Sequence, residues 1–489
     1  MAEIAAAVAV TKAALHVFEL VRVALVSLIL FLSGCSALLF QTLWLRLSGL
    51  AFGNSVWSAA LILSSFMAGL ALRKCDRRAV KPPAGSTAAG LRGIGINRRR
   101  FRLHAGIWTS TPRRMAAPHF SGPLASPGAA KHPALLDFVP GSAFSDHGHG
   151  VDPACAVGGS VSTSPPIRLR HRRLLRFQHP GGVAGALLGE GYLMRRFGLP
   201  GTGLTAACLS LAAAGIAWLF AGTEPAGTQA TRLQFSLSKQ TPWKLLLVSL
   251  GTGALFLGLE VIWFRFMRLY VASSSTAFCT MLAVVLAGIG LGGLAASAIP
   301  TATPRKIMPL LLLLVAMGTL LSYVFPVPVL QGDSKAFHIE SWPEIARLSF
   351  ALMFPVAFLS GILLPIIVSC VQEELKNRMN STGLTILFNT VGAAVGPILA
   401  GFVLLPWLGF QSSLVLFAAG YAALALLTCE KQSWSLRKPV GIALIALGAS
   451  FVLTLVIFPY HRNETHFENA RRPFEADQSV LQKKIEGYR

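Results

Sequence analysis

The chain has 489 residues, of which 53% are hydrophobic and only 13% charged. Soluble domains carry about 25% charged residues, so half the usual charge is missing and a soluble enzyme is excluded. A formal net charge of +23 would suggest nucleic acid in a soluble protein. Here the basic residues crowd one unusual stretch or sit in short loops between apolar runs, so no nucleic-acid partner is expected.

Residues 1–30 lack the compact basic, apolar and small-residue pattern of a removable signal and read as an amphipathic lead into the first helix. Residues 1–72 therefore hold that lead and two transmembrane helices. Residues 73–180 form a basic, Pro- and His-rich stretch. The span 181–221 closes a first repeat and 222–243 is a polar loop. The span 244–428 reads as six helices, with apolar runs at 245–267, 277–299, 308–324, 348–371, 384–405 and 414–427. A further run at 440–458, within 439–459, is a candidate thirteenth helix, and 460–489 is a polar tail. Most of these runs reach the roughly 17–25 residues that span a bilayer. Helices satisfy all their backbone groups within one segment, so the predicted class is all-α and integral to the membrane.

The halves repeat. Gly34, Gln41, Trp44, Arg46, Ser55, Ala68 and Gly69 align with Gly253, Glu260, Trp263, Arg265, Ser274, Ala287 and Gly288 at one offset of 219. Phe177, Gly181, Gly185, Leu193 and Gly198 align with Phe388, Gly392, Gly396, Leu404 and Gly409 at an offset of 211. The repeats cover about 34–221 and 253–428. Six helices return the chain to its starting side, so two parallel six-helix repeats of major-facilitator-like type are expected, the first incomplete.

Residues 73–180 hold 18 of the 43 Lys and Arg, 12 of the 28 Pro and 7 of the 11 His. They occupy the place of helices yet add almost nothing to the length: Trp44 to Gly198 is 154 residues, and Trp263 to Gly409 is 146. The expectation is a stretch translated one base out of frame. Shifted by one base with permitted codons, 73–78 decodes as G-N-A-I-A-A. Residues 171–180 decode as I-G-G-F-Y-A-F-N-T-L, matching F-N-T-V at 388–391, and 146–156 decodes as I-M-G-M-G-L-T-L-P-A-L. The proline of that last string falls at position 154, 211 residues before Pro365.

Several residues are candidates for function. Glu260 lies in mid-helix beside Trp263 and Arg265, with Gln41 at its equivalent place. An acid inside a membrane is costly, which points to proton or cation binding or to pairing with a neighbouring helix or Arg265. Arg46 and Arg265 sit near segment ends, where snorkelling to the interface is the simple expectation. Glu190 has Gly401 as counterpart, so this acid stands outside the repeat plan and reads as substrate-facing or close to a loop. Gly288, Gly290, Gly292 and Gly293 imitate a nucleotide loop. They lie in an apolar helix after no strand, so close helix packing is expected and no cofactor. Gly392, Gly396 and Pro397 read the same way, with a kink at Pro397 that could serve gating. The seven cysteines include no C-x-x-C pair, and neither a disulfide framework nor a metal site is expected.

The run from Gly34 to Leu72, with Q-x-x-W-x-R and A-G-L-A-L, resembles the membrane domain of the fused major-facilitator/spermidine synthase family. So do F-N-T-V-G-A-A-V-G at 388–396 and G-F-V-L-L-P-W-L-G at 401–409. The stretch V-L-Q-K-K-I-E-G at 480–487 resembles the lead-in to that family's aminopropyltransferase domain. The chain ends at Arg489, before any of that domain, so it is expected to be truncated and to carry no catalytic residue. The resemblance implies a membrane module that anchors a polyamine aminopropyltransferase or moves its substrate or product. The alternative is a stand-alone major-facilitator-type transporter. Its partners would be the lipid bilayer and a polyamine or other small cation. Basic residues at 305–306, 376–378 and 431–438 fall in alternate loops, which places them and the N-terminus in the cytoplasm, in a bacterial inner membrane.

Resequencing the gene from the Gly69 codon onward, on independent template, should show one base gained near Leu72 and one lost near Gly181. A frame confirmed as written would make 73–180 a genuine basic insertion.

Overall fold

The computed structural model describes residues 2–53, 56–76, 178–221, 241–271, 273–299, 304–324, 339, 341–375, 378–429 and 439–459. They lie almost wholly in one compact unit made of 1–71 and 142–489. Most of the stretch read as out of frame lies outside the described residues. Only its edges are seen, as the end of one helix at 73–76 and the start of another at 178–180.

Among the described residues the fold is all helix. The helices are α1 (Ala2–Phe52), α2 (Val56–Asp76), α3 (Gln178–Leu188), α4 (Met194–Ala221), α5 (Trp243–Tyr270), α6 (Ser274–Ala296), α7 (Pro304–Val324), α8 (Trp342–Leu375), α9 (Arg378–Ile398), α10 (Leu405–Thr428) and α11 (Pro439–Val456). Two π-helical turns, Gly189–Leu193 and Leu399–Leu404, join α3 to α4 and α9 to α10. Eight helical stretches are long and apolar enough to cross a membrane, and Val56–Leu72 is a shorter apolar helix. The protein is an all-α membrane protein. Each apolar run of the second half appears as a helix, and the run near 440–458 is α11.

The same contacts recur in both halves. A side chain at Gly181 would strike the carbonyl of Phe31, and one at Gly185 that of Cys35. At the equivalent places, Gly392 meets the carbonyl of Leu250 and Gly396 that of Ala254. Gly34 and Gly253 complete the set against the carbonyls of Gln178 and Asn389. Lipid is as apolar as the side chains, so helices in a membrane gain mainly by close packing, and small residues let two backbones touch. Pairing 31 with 181 and 35 with 185 makes α3 parallel to α1, and the equivalent pairs make α9 parallel to α5.

The chain then reverses. Ser36 bonds the Ala206 carbonyl at 2.8 Å and Leu43 lies against Gly203, so α4 runs antiparallel to α1. In the other half Gly251 meets Leu424, Leu255 meets Gly420, and Gly258 meets Phe417, so α10 runs antiparallel to α5. Each reversal falls at a glycine of positive φ, Gly198 (64°) and Gly409 (73°). With ψ near 180° this is a backbone region essentially reserved for glycine, where an L side chain costs about 1–3 kcal/mol.

The halves meet through α3 against α6 and α9 against α2. Gly182 faces Leu286 and Gly290 faces His179. On the other side Ser64 donates to the carbonyl of Ala394, and Trp57 stacks on Phe402 at 6.1 Å. Both crossings are antiparallel. Short links join α1 to α2 and α5 to α6, so α1 and α5 point the same way.

In the second half, α6 and α8 cross closely: Gly288 abuts Ala357, Gly292 the Phe358 carbonyl, and Gly361 the Ile289 carbonyl. Arg305 pairs with Glu374, which brings the start of α7 and the end of α8 to one end of the bundle. The core centres on α5, where Trp263, Phe264, Phe266 and Met267 are wholly buried. About two thirds (67%) of the apolar window of α5 is buried, against 17% for α11, which is peripheral.

Replacing Gly396 with Leu should lower stability by about 1–3 kcal/mol through overpacking. Gly448→Leu on α11, where nothing lies within 4 Å, should be near neutral. Thermal unfolding of both variants in detergent measures the difference.

Candidate functional site

The parallel approach of α1 and α3 sets the place of the first polar site. Past Gly185 the helix widens into the π turn that carries Glu190, and this turn faces the end of α1. Arg46 Nη2 donates to Glu190 Oε1 at 2.5 Å, and Arg46 Nε donates to Oε2 at 3.2 Å. The guanidinium thus grips the carboxylate with two nitrogens, the geometry in which such pairs are strongest. Ser275 Oγ, on the first turn of α6, donates to Oε1 at 2.9 Å. One acid therefore ties the first half to the second. The Glu190 side chain is 5% exposed and that of Arg46 36%, so the pair lies at the rim of the buried region.

Among the described residues the second half has no pair at the equivalent place. Arg265 is exposed and makes no ion pair among the described residues. The counterpart of Glu190 is Gly401, and a Cβ there would come within 2.7 Å of the Ala60 Cβ on α2. No side chain fits, and the acid is excluded sterically from that half.

Gln41 and Glu260 occupy equivalent levels of α1 and α5 and are both buried, each 4% exposed. Neither has a hydrogen-bond partner among the described residues. Glu260 is paired with neither Arg265 nor an acid or base of a neighbouring helix. Its neighbour Trp263 is wholly buried, with Nε1 3.5 Å from Ser322 Oγ on α7. The hydroxyls of Tyr421 on α10 and Ser360 on α8 are also buried without a hydrogen-bond partner.

Gly288 and Gly292 lie within α6 at its crossing with α8, and Gly392 and Gly396 within α9 at its crossing with α5. Pro397 lies inside α9, two residues before a π turn. Ala186 holds the equivalent place before the other π turn, so the proline is not what widens the helix. The sharp turns come later, at Gly198 and Gly409. No group of His, Cys, Asp and Glu able to hold a metal occurs among the described residues.

The sequence reading overlooked Ser275, Tyr421 and Ser360. Ser275 follows directly on the repeated pair Ser55 and Ser274. Tyr421 is the one polar aromatic in the apolar run 414–427, a signal that could have been used. The joining of Arg46 to Glu190 has no local signature, because the two stand 144 residues apart.

Comparison with protein-family models, with curated proteins and with solved structures returns no match.

Arg46→Ala and Glu190→Ala should each destabilise the protein, and the double variant should lose less than their sum. A coupling of about 1–3 kcal/mol is expected from a double-mutant cycle on thermal unfolding.

Proposed function

We propose that this chain is the membrane module of a protein similar to the fused major-facilitator/spermidine synthase family. In this reading it lies in a bacterial inner membrane with its N-terminus in the cytoplasm. It anchors a polyamine aminopropyltransferase or moves that enzyme's substrate or product. The observation that carries the transport side is the contact of α1 with α3, repeated between α5 and α9, in two halves whose first helices point the same way. Two similar bodies joined through α3–α6 and α9–α2 are suited to rock against each other around a midplane site. Gly392 and Gly396, which make that contact, are also residues of the segment that carries the resemblance.

A polyamine is a flexible polycation, and the acids available to it favour a cation over an anion. Glu260 is buried in mid-helix without a partner, and Glu190 sits between the halves. An acid at membrane depth is functional by default. The stand-alone transporter is the second reading, favoured by the same acids and needing no attached enzyme. The two differ in size: an antibody to 460–489 detects a membrane polypeptide well above 489 residues in the first case and one of 489 residues in the second.

Purified protein in liposomes should take up radiolabelled spermidine or putrescine above the level of empty liposomes. Glu260→Gln should reduce the uptake at least about tenfold, equivalent to about 1.4 kcal/mol. Folded protein that moves neither polyamine would remove the transport role and leave anchoring.

A further inference from the structure

One buried acid and two buried hydroxyls stand inside the second half without a hydrogen-bond partner among the described residues. Glu260 on α5 is 4% exposed and makes no hydrogen bond or ion pair among the described residues. Tyr421 on α10 is wholly buried, and neither its hydroxyl nor that of Ser360 on α8 has a hydrogen-bond partner. α5 and α10 touch at Gly258 and Phe417, two residues from Glu260 and one turn from Tyr421, and the Tyr421 hydroxyl lies near the Ser360 hydroxyl and the Glu260 carboxyl. Three helices thus contribute one oxygen-bearing side chain each. A buried polar group without a partner costs about 1–3 kcal/mol, and each such group in a native protein calls for an explanation.

The surroundings hold no compensating charge. α6 and α10 carry no Asp, Glu, Lys or Arg, and α9 carries only Arg378, at its start. The charges of α8, Glu344, Arg347, Glu373 and Glu374, lie toward its two ends. α7 has Arg305 and Lys306 at its start and Tyr323 at its end, and the charges of α2 are confined to 73–76 at its end. On α5 itself, Lys244 is at the start and Arg265 and Arg268 lie toward the end, with Arg265 exposed. Cys279 on α6, Cys370 on α8 and Tyr270 on α5 are further titratable groups on these helices.

We propose that Glu260 is a proton-binding site inside the second half, with Tyr421 and Ser360 as the hydroxyls that receive its carboxylate when the proton leaves. The donor set favours a proton over a divalent metal, which takes six or more oxygens where three side chains offer four. With the proton on, an O–H bond closes at a Glu260 oxygen and no net charge is buried. On release that bond breaks, the proton passes to water, and the carboxylate accepts from the Tyr421 hydroxyl. Tyr421 in turn accepts from Ser360, and every unsatisfied hydroxyl then has a use. The site goes beyond the transport reading and does not require that a polyamine be moved.

A carbodiimide tests this on the purified full chain without any transported substrate. The reagent adds to a protonated carboxyl in an apolar setting: the acid proton moves to a carbodiimide nitrogen and the carboxyl oxygen bonds the central carbon. Dicyclohexylcarbodiimide should label Glu260, read by mass spectrometry of the 243–270 peptide. The rate should fall at least tenfold from the acid to the alkaline end of the site's titration, because only the protonated carboxyl reacts. Tyr421→Phe and Ser360→Ala, both conservative, should displace the midpoint by about one pH unit, a tenfold change in proton affinity. Absence of label, label that ignores pH, or a midpoint unmoved in both variants would overturn the proposal. Protection by sodium at constant pH would overturn it too, in favour of a sodium site. Loss of polyamine uptake with this labelling intact would count against the transport reading alone.

Discussion

Contact between the backbones of α1 and α3, made again between α5 and α9, is the constraint on which the rest of the bundle hangs. In a bilayer the apolar surface of a helix gains little by leaving lipid for protein, so association depends on how closely two helices can approach. Gly34, Gly181 and Gly185 in one half, and Gly253, Gly392 and Gly396 in the other, bring carbonyl and Cα into the space a side chain would take. Parallel α1 and α3 follow, as do parallel α5 and α9. The breaks at Gly198 and Gly409 then return the chain antiparallel along the same partner. A side chain at one of the contact glycines would separate two helices and shift the helix that crosses to the other half.

The symmetry is departed from where charge is concerned. The π turn of the first half presents Glu190 to Arg46 and Ser275, whereas the π turn of the second half presents Gly401 to Ala60. Both turns sit at the crossing between halves, so one crossing is held by a hydroxyl on a charged acid and the other by close packing with a hydroxyl on a backbone carbonyl. A bidentate charged pair is directional, and close packing of Cβ on Cβ is not. The two crossings therefore differ chemically, an asymmetry that the backbone repeat lacks.

A second departure concerns Gln41 and Glu260. The amide and the acid are nearly the same shape, and the helices carrying them are equivalent, but one can change its charge and the other cannot. Only the second half surrounds its member with buried, unpartnered hydroxyls among the described residues. The proposed titration at depth thus belongs to one half, and the acid that reaches across to Ser275 belongs to the other.

The membrane class, the seven apolar runs from 245 onward and the two repeat offsets were legible in the sequence, because hydrophobic length and identity at fixed spacing are local properties. So were the glycines, as packing residues, since a glycine in an apolar helix has few other uses. The place of helix reversal was legible only as a repeated glycine; that Gly198 and Gly409 turn the chain depends on backbone angles. What tertiary structure alone decided is which polar groups meet. Arg46 finds Glu190 across 144 residues and Ser275 comes from the other half, while Glu260 finds no charge despite Arg265 five residues on. Pairing is set by which helix faces turn toward each other, and that orientation comes from glycine contacts at other levels of the bundle, not from the charged residues themselves.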